Sequence, residues 1–359
     1  MGYAYQATVT IPAPTGGPHT DFTVVFKISS ALLKPSPGGV IQHSGVAFTG
    51  GPTVPYDLIV SSDAAGTSLY NWTIKAWDQA NGIAYIYVKI PNYSGALTLY
   101  VSIGNASVSS FPGGARGTAF DANTGLALLL PDGTTLNTAD FSASANNGTN
   151  TGCTAASGQI DGGASLNGST NKITFAQVIG AAAAAFTYEC WINPTRYGNA
   201  AAGNAFFYQG PGTSQEGAAF MVYDGGGHTK SLRWSVANGG SYIYANNDII
   251  ALNAWQHVAF VYTVAGTTGT FYVNGVAAGS GSSGGTPPNT GGAIGYWYLS
   301  SDATRYFAGT LNDCRYSSVA RSGDWIATEV ANQTSIPLAG AFSPIVAGAP
   351  NSLTLVGCQ

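Results

Sequence analysis

The sequence predicts an all-β protein made of two β-sandwich domains, and three observations carry this prediction. Short segments with alternating, β-branched or aromatic residues recur along most of the 359 residues. Gly, Pro and Asn separate these segments at short intervals, as in sandwiches and jelly rolls. Helical periodicity is weak except in SGDWIATEVANQ (322–333), where Ser322 can cap a helix.

The first set of strand segments fills residues 1 to about 110, which is enough for a small sandwich. It runs from YQATVTIPAP through DFTVVFKIS, YDLIVSS, NWTIKAWD and IAYIYVKIP to LTLYVSIGN. The stretch SSFPGGARG (109–117) then interrupts the pattern with Ser, Gly and Pro, which is typical of a linker. We therefore place the first domain at residues 1–112.

The second set of strand segments gives a second domain at residues 113–336. The strand–turn–strand pattern is clearest in AWQHVAFVYTVAGTTGTFYVNG (254–275), where two alternating strands flank a Gly/Thr cluster that closes a hairpin. Asn274 and Gly275 then supply the positive φ of a tight turn into a third strand. Residues 337–359 form a Pro/Ala/Gly-rich tail. It docks on the first domain, adds an edge strand to a neighbouring subunit, or is loosely tethered.

The second domain resembles laminin G-like (concanavalin A-like) jelly rolls over about residues 120–335. The hairpin just described, GGASLNGSTNKITF and FTYECWINP are similar to successive strands of that family. The stretch AIGYWYLSSDATRYFAGTLNDCRYSSVARSGDWIATEVANQ resembles its closing segment. The resemblance implies a jelly roll of the carbohydrate-binding type. The sequence departs from the family at Cys190, Asn312 and Cys314, where the family has ordinary strand residues.

Residues 56–105 resemble a second family, the sandwich of unknown function that often precedes laminin G-like domains in bacterial and phage surface proteins. The resemblance rests on YDLIVSSDAAGTSLYNWTIKAWDQANGIAYIYVKIPNYSGALTLYVSIGN. It implies an architecture and a domain order, but no activity.

The four cysteines are Cys153, Cys190, Cys314 and Cys358. They show no C-x-x-C spacing and no nearby His pair, so we expect no zinc site. Cys190 and Cys314 both lie in strand-like segments, as cross-strand neighbours that are either bridged or simply small and buried. The departure from the family at these positions favours a local disulfide, but the sequence does not choose among the possible pairings.

Composition excludes several classes of protein. With 45% hydrophobic and 8% charged residues, the chain is globular rather than disordered. A net charge of −4 with scattered basic residues argues against nucleic acid as a partner. No apolar run approaches the ~18 residues that span a bilayer. The N-terminal MGYAYQATVTIPAPTGG lacks the charged and apolar regions of a signal peptide.

Catalytic patterns are missing from the sequence, and we predict a non-enzyme. The only Glu residues are Glu189, Glu216 and Glu329, and no two carboxylates have the close strand spacing that retaining glycoside hydrolysis needs. We expect Glu189 to be a solvent-facing strand residue. No G-x-S-x-G elbow accompanies the His residues. His257 is expected to be a packed imidazole, and His228 to lie in an exposed loop.

Binding is the better hypothesis, because aromatic rings and polar groups are concentrated in loop-rich segments. The segment GGAIGYWYLSSDATRY (291–306) supplies the predicted ligand-binding residues Tyr296, Trp297, Tyr298, Asp302 and Arg305. Further candidate loops rich in Gly, Asn and Tyr are 209–217, 223–230 and 237–248.

A calcium site is a weaker expectation, because no D-x-D-x-D-G loop occurs and several oxygen ligands are needed. Asp224, Asp248 and Asp302 from separate loops are the candidate Ca²⁺ ligands.

Together these observations predict a non-catalytic, externally displayed adhesion or structural protein with a carbohydrate-binding-type jelly roll. Its expected partners are a cell-surface glycan or other virion or surface proteins, within an oligomer or larger assembly, and neither nucleic acid nor a membrane. The domain order and low charge favour a phage virion component such as a tail fibre, appendage or capsid decoration. The alternatives are a secreted or cell-surface bacterial adhesin and a glycan-cleaving enzyme.

Overall fold

The computed structural model confirms the all-β class. It describes residues 2–131, 135–175, 185–198, 204–210, 217–236, 241–263, 268–282, 291–297 and 305–345. Apart from one α-helix and a single 3₁₀ turn (Ala31–Leu33), the regular structure in these residues consists of strands. No helix within this part of the chain is long and apolar enough to cross a membrane.

The first sandwich contains eight strands up to residue 103. They are β1 (Tyr5–Ile11), β2 (His19–Ser29), β3 (Ser44–Val46), β4 (Thr53–Pro55), β5 (Leu58–Ser61), β6 (Trp72–Asp78), β7 (Ile83–Tyr93) and β8 (Leu97–Ile103). One sheet has the order β1-β8-β5, the facing sheet the order β2-β7-β6, and β3 pairs with β4. Alternate residues of these strands fill a core that includes Val24, Phe26, Ile86 and Val101.

The second domain is a jelly roll of two larger sheets. Its strands are β9 (Thr124–Leu128), β10 (Thr149–Thr151), β11 (Thr154–Ser157), β12 (Gly162–Asn167), β13 (Lys172–Phe175), β14 (Ala185–Pro194), β15 (Asn204–Gln209), β16 (Ala218–Gly225), β17 (His228–Val236), β18 (Ser241–Tyr244), β19 (Gln256–Thr263), β20 (Thr268–Val273), β21 (Val276–Ser282), β22 (Gly292–Ile294) and β23 (Ala308–Ser317). The seven-stranded sheet has the order β10-β13-β22-β15-β16-β17-β18. The eight-stranded sheet has the order β11-β12-β23-β14-β19-β20-β21, with β9 paired to β23.

An aromatic core joins the two sheets of the jelly roll. Alternation along β14 places Phe186 and Tyr188 on the inner face, and β19 adds Phe260. From the opposite sheet, Trp234 stacks on Phe260 with ring centroids 4.6 Å apart. Side chains of this size each contribute about 1.5–3 kcal/mol when fully buried.

The predicted turn after β20 is confirmed. Asn274 has φ +50° and Gly275 has φ +82°, so the chain reverses into β21 through left-handed residues. A Cβ on Gly275 would lie 3.1 Å from the Cα of Ala327. This turn therefore needs glycine both for its backbone conformation and for its close approach to the helix that follows β23.

That helix, α1 (Gly323–Thr334), confirms the expectation for residues 322–333. The Ser322 side chain accepts a hydrogen bond from the Trp325 N–H and caps the N-terminus. Near the other end, Asn332 bonds strand β2 of the first domain: its Oδ1 accepts from the Val25 N–H at 2.7 Å, and its Nδ2 donates to the Val25 carbonyl at 3.0 Å. The helix thereby links the two domains.

The tail docks on the first domain as far as it is described. The Lys27 N–H donates to the Pro337 carbonyl at 2.8 Å, and Ala339 is buried in the first core. The last strand, β24 (Ser343–Pro344), pairs antiparallel with β1 at its edge. Residues 346–359 lie outside the described residues.

Candidate functional site

Of the predicted binding segment, the described residues Trp297 and Arg305 lie on the face of the seven-stranded sheet that points away from the core. The Trp297 N–H donates to the Arg305 carbonyl at 3.3 Å, and Tyr296 forms a bridge pair with Tyr306. The structure therefore brings Tyr296, Trp297 and Arg305 together, as the sequence suggests. The other two predicted binding residues, Tyr298 and Asp302, lie outside the described residues.

Trp297 has a buried side chain that is not available at the surface for a ligand. Its side chain is 8% exposed and lies against Ala205, Tyr208 and Met221 on the outer sheet face. The guanidinium carbon of Arg305 lies 4.5 Å from the centroid of the Trp297 ring, in a cation–π contact. A ligand could not stack on Trp297 without displacing such neighbours, so this ring supports the outer face instead of forming its surface.

A second buried cation organises the tyrosines beside Trp297. Arg233 on β17 is 4% exposed, and its guanidinium carbon lies 4.4 Å from the Tyr223 ring centroid, 4.9 Å from that of Tyr242 and 5.5 Å from that of Trp297. Its Nε is 3.2 Å from the Met221 sulfur. Cation–π contacts of this kind hold the rings in defined orientations. Arg233 is not among the residues predicted from the sequence, although it lies between Leu232 and Trp234 in a strand segment, which is a signal for a special outer-face position.

The edge strand β18 presents the exposed rings. Tyr242 and Tyr244 are two residues apart and share the outer face, whereas Ile243 between them is buried in the core. Tyr242 is 44% exposed, and Tyr244 is half-buried. The His228 ring stacks on Tyr244 with centroids 3.7 Å apart and an angle of 4°. We call Tyr223, Tyr242 and Tyr244 with the underlying Arg233 the tyrosine platform.

Two of the candidate loops in the sequence meet at this platform. Segment 223–230 forms the turn between β16 and β17, and segment 237–248 carries β18. The Thr229 N–H donates to the Asn247 side chain at 3.1 Å and ties the two segments together. Against the expectation of an exposed loop histidine, His228 begins strand β17 and is half-buried. In segment 209–217, residues 211–216 lie outside the described residues.

The calcium expectation stays a prediction. Asp248 carries an exposed ion pair, with an Oδ1 3.6 Å from the Nζ of Lys230. Asp224 is at the end of β16, and the third candidate, Asp302, lies outside the described residues. Across the ranges that the structure describes, no three His, Cys, Asp or Glu side chains are grouped to hold a metal ion.

Glu189 corrects one sequence expectation, because it does not face solvent. Its side chain is 4% exposed, on the outer face of the eight-stranded sheet where α1 and the first domain cover it. Burial, together with the nearby Glu329, raises its pKa well above the usual range. His257 lies 3.8 Å away, and burial lowers its pKa to about 3. The His257 side chain is 1% exposed, so the predicted packed imidazole is confirmed.

A buried ionic network surrounds Glu189 and joins the two domains. Arg315 on β23 bonds both oxygens of Asp313 at 2.8 Å and also the Glu329 carboxylate on α1. From the first domain, the Tyr87 hydroxyl donates to Asp313 at 2.8 Å. The cavity beside Glu189, Arg315 and Glu329 has a volume of only about 10 Å³. That is too small for a substrate, so the network fastens the domains together instead of offering a reaction site.

A larger cleft of about 660 Å³ opens at the domain junction. Trp77, Asp78 and Tyr85 of the first domain line one wall, and Asn137 and Asp161 line the other. Several of its polar groups already have partners, since Asp78 accepts from backbone N–H groups of the next turn. The cleft is a second candidate surface for a small polar ligand.

Comparisons with known proteins agree with this architecture. Residues 167–327 match a family model described as the concanavalin A-like lectin/glucanases superfamily. Residues 56–129 match a domain of unknown function, DUF2341. No curated protein matches the chain in sequence.

Solved structures with a similar fold include domain 4 of AbnA, an extracellular GH43 arabinanase from Geobacillus stearothermophilus, in complex with arabinotriose. The identity to it is 17%, with 57% of this chain and 97% of that chain covered and a TM-score of 0.45. The binding domain of Paraclostridial Mosquitocidal Protein 1 has 18% identity, coverage of 58% and 52%, and a TM-score of 0.46. The chain thus spans about half the length of that binding domain. The chain carries a concanavalin A-like jelly-roll domain preceded by a DUF2341 domain.

Proposed function

We propose that the protein is a non-catalytic, externally displayed adhesion or structural protein whose jelly roll binds a glycan at the tyrosine platform. The observation that carries the proposal is the 44% exposed ring of Tyr242 beside Tyr244 on one edge strand, with the buried Arg233 beneath. Aromatic rings bind the C–H faces of sugars, and nearby hydroxyl and guanidinium groups can fix their orientation.

The platform is organised before a ligand arrives. Arg233 lies between Tyr223 and Tyr242, and His228 lies flat against Tyr244, so these rings have little rotamer freedom left to lose. Preorganisation of this kind reduces the entropy cost of binding. Burial also raises the pKa of Tyr244, and its hydroxyl can donate a hydrogen bond.

The carboxyl groups support binding rather than cleavage. Retaining hydrolysis needs two accessible carboxyl groups about 5 Å apart, one of them ionised. Glu189 and Glu329 are neighbours, but the domain junction encloses them beside a void of about 10 Å³. A glycan would have to separate the two domains to reach them.

For the place of display, we propose a phage virion component such as a tail fibre, appendage or capsid decoration. The low charge and the order of the two domains support this assignment, and a bacterial adhesin is the alternative. Peptide mass spectrometry of purified particles would test it. Recovery of this chain at a fixed ratio to the major capsid protein is the expected result.

The test of glycan binding uses the full chain on a glycan array and on intact bacterial surfaces, followed by titration with the best glycan. Replacing Tyr242 or Tyr244 with Ala should weaken binding about tenfold, because one aromatic contact is worth roughly 1 kcal/mol or more. Tyr100→Ala, at a half-buried strand tyrosine of the first domain, is the matched control. Parallel assays with Ca²⁺ and with EDTA test the calcium expectation.

Each alternative gives a different result. Loss of binding in Tyr85→Ala but not in Tyr242→Ala would move the site to the junction cleft. Shortened glycan products in the titration mixture would favour the glycan-cleaving enzyme. No binding on any surface would leave a purely structural role.

A further inference from the structure

Cys190 on β14 and Cys314 on β23 lie on neighbouring strands, at the point where the register between these strands shifts. In the antiparallel pairing of β14 with β23, Glu189 is the partner of Arg315, and the next step in the same register places Cys190 opposite Cys314. Opposite residues in such a pair have Cα atoms about 4.5–5.5 Å apart, within the 4.4–6.8 Å that a disulfide requires. Because the register shifts at this pair, it is the contact between the two side chains that supports a bridge.

A β-bulge falls at this pair. The ladder resumes one residue out of step, with Trp191 opposite Asn312, and the extra residue Asp313 has φ +50°. The two Sγ atoms of Cys190 and Cys314 lie 2.7 Å apart, so both side chains already point at each other. The bulge at the cysteine pair is a local departure from the regular antiparallel pairing of β14 and β23.

Cys153 provides an internal contrast. It too is buried in the jelly-roll core, at 5% exposure, but the hydrogen-bond partner of its Sγ is the Thr151 carbonyl, at 4.0 Å, rather than a second cysteine within the described residues. Cys190 and Cys314 are both fully buried in the core between the two sheets. The structure therefore separates one cysteine pair from a single cysteine, which the sequence could not do.

We propose that Cys190 and Cys314 form a disulfide that joins β14 to β23 across 124 residues. Two thiols lose two protons and two electrons as the Sγ–Sγ bond forms. A second disulfide, from a small-molecule oxidant or a thiol oxidoreductase, accepts the electrons and leaves as two thiols. Burial raises the pKa of the Cys190 thiol, which makes its reactive thiolate scarce after folding. Both sulfurs lie in the core, so thiols in solution have little access to the completed bond.

The test maps the cysteines of the full chain after it has refolded in oxidised and reduced glutathione. The protein is denatured in the presence of N-ethylmaleimide, which alkylates the free thiols, and is then cut with trypsin. The expected product is peptide 173–196 linked to peptide 306–315, and it disappears when a reductant precedes alkylation. The other cysteine peptides, 117–172 and 322–359, should both carry the alkyl group. The variant Cys153→Ser is the control and should retain the linked product.

A stability measurement gives an independent readout. Closing a long loop should raise the thermal midpoint of the oxidised protein above that of the reduced protein by roughly 5–10 °C. The reduced and oxidised forms of a Cys190→Ala, Cys314→Ala double variant should melt at the same temperature. The proposal fails if peptides 173–196 and 306–315 are both alkylated after oxidative refolding. It also fails if either is linked to a different cysteine.

Discussion

The buried histidine at the domain junction gives a pH dependence of stability whose size can be worked out. His257 is 1% exposed, its ring packs against Trp191 with centroids 5.4 Å apart, and burial together with the charge of Arg315 lowers its pKa from 6.5 to about 3. Between these two pH values the unfolded chain holds a proton on this residue and the folded chain does not. The free energy of unfolding therefore rises with pH across this window.

The magnitude follows from the two pKa values. At pH 7 the imidazole is mostly neutral in both states, and the contribution of His257 to the pH dependence is small. At pH 5 the unfolded state gains a proton that the folded state cannot accept. The resulting loss of stability between pH 7 and pH 5 is about 2 kcal/mol.

The assay is urea unfolding of the wild-type protein and of His257→Gln at pH 7 and at pH 5. The variant keeps a polar side chain of similar size but has no group that titrates in this range. Groups that do not contact residue 257, such as His19, titrate alike in both proteins, so the difference between the two proteins reports on residue 257. Wild type should lose about 2 kcal/mol more than the variant. Equal losses would refute a buried neutral imidazole at this position.

Two further substitutions test the domain junction by urea unfolding at pH 7. Asn332→Ala removes both hydrogen bonds to the Val25 backbone and should lower the free energy of unfolding by about 2–3 kcal/mol. A loss under about 0.5 kcal/mol would mean that these bonds do not hold the two domains together. Arg315→Met leaves the carboxylates of Asp313 and Glu329 buried without their cation and should cost about 3–5 kcal/mol. An unchanged denaturation midpoint for this variant would mean that the network does not fasten the domains.

The features that could be predicted from the sequence depend on local chemistry. The turn at Asn274 and Gly275 follows from the need for positive φ, and the start of α1 follows from a serine that caps its own helix. The jelly-roll core follows from alternation, since Phe186 and Tyr188 are two residues apart on β14. None of these predictions requires knowledge of which distant segments meet.

Glu189 shows that local sequence patterns do not predict which sheet face another domain covers. Alternation correctly assigns it to the face of β14 opposite the core, and for a single sheet that face would be solvent. Here α1 and the first domain cover it, and that contact depends on segments more than a hundred residues away. Arg233 was missed for the same reason. Arg233 contacts the rings of Tyr223 and Tyr242 only because β16, β17 and β18 are adjacent in the sheet. The sequence of β17 alone does not specify this neighbourhood.

The position of the proposed binding face follows from the way the domains pair. The hydrogen bonds and ion pairs of the junction involve Trp191 and Arg315, which lie on the outer face of the eight-stranded sheet. That face is therefore occupied by the first domain and α1. The tyrosine platform lies on the opposite sheet, and its exposed ring, Tyr242, is on an edge strand. If the first domain anchors the protein in a larger assembly, the jelly roll would present its platform away from the anchor.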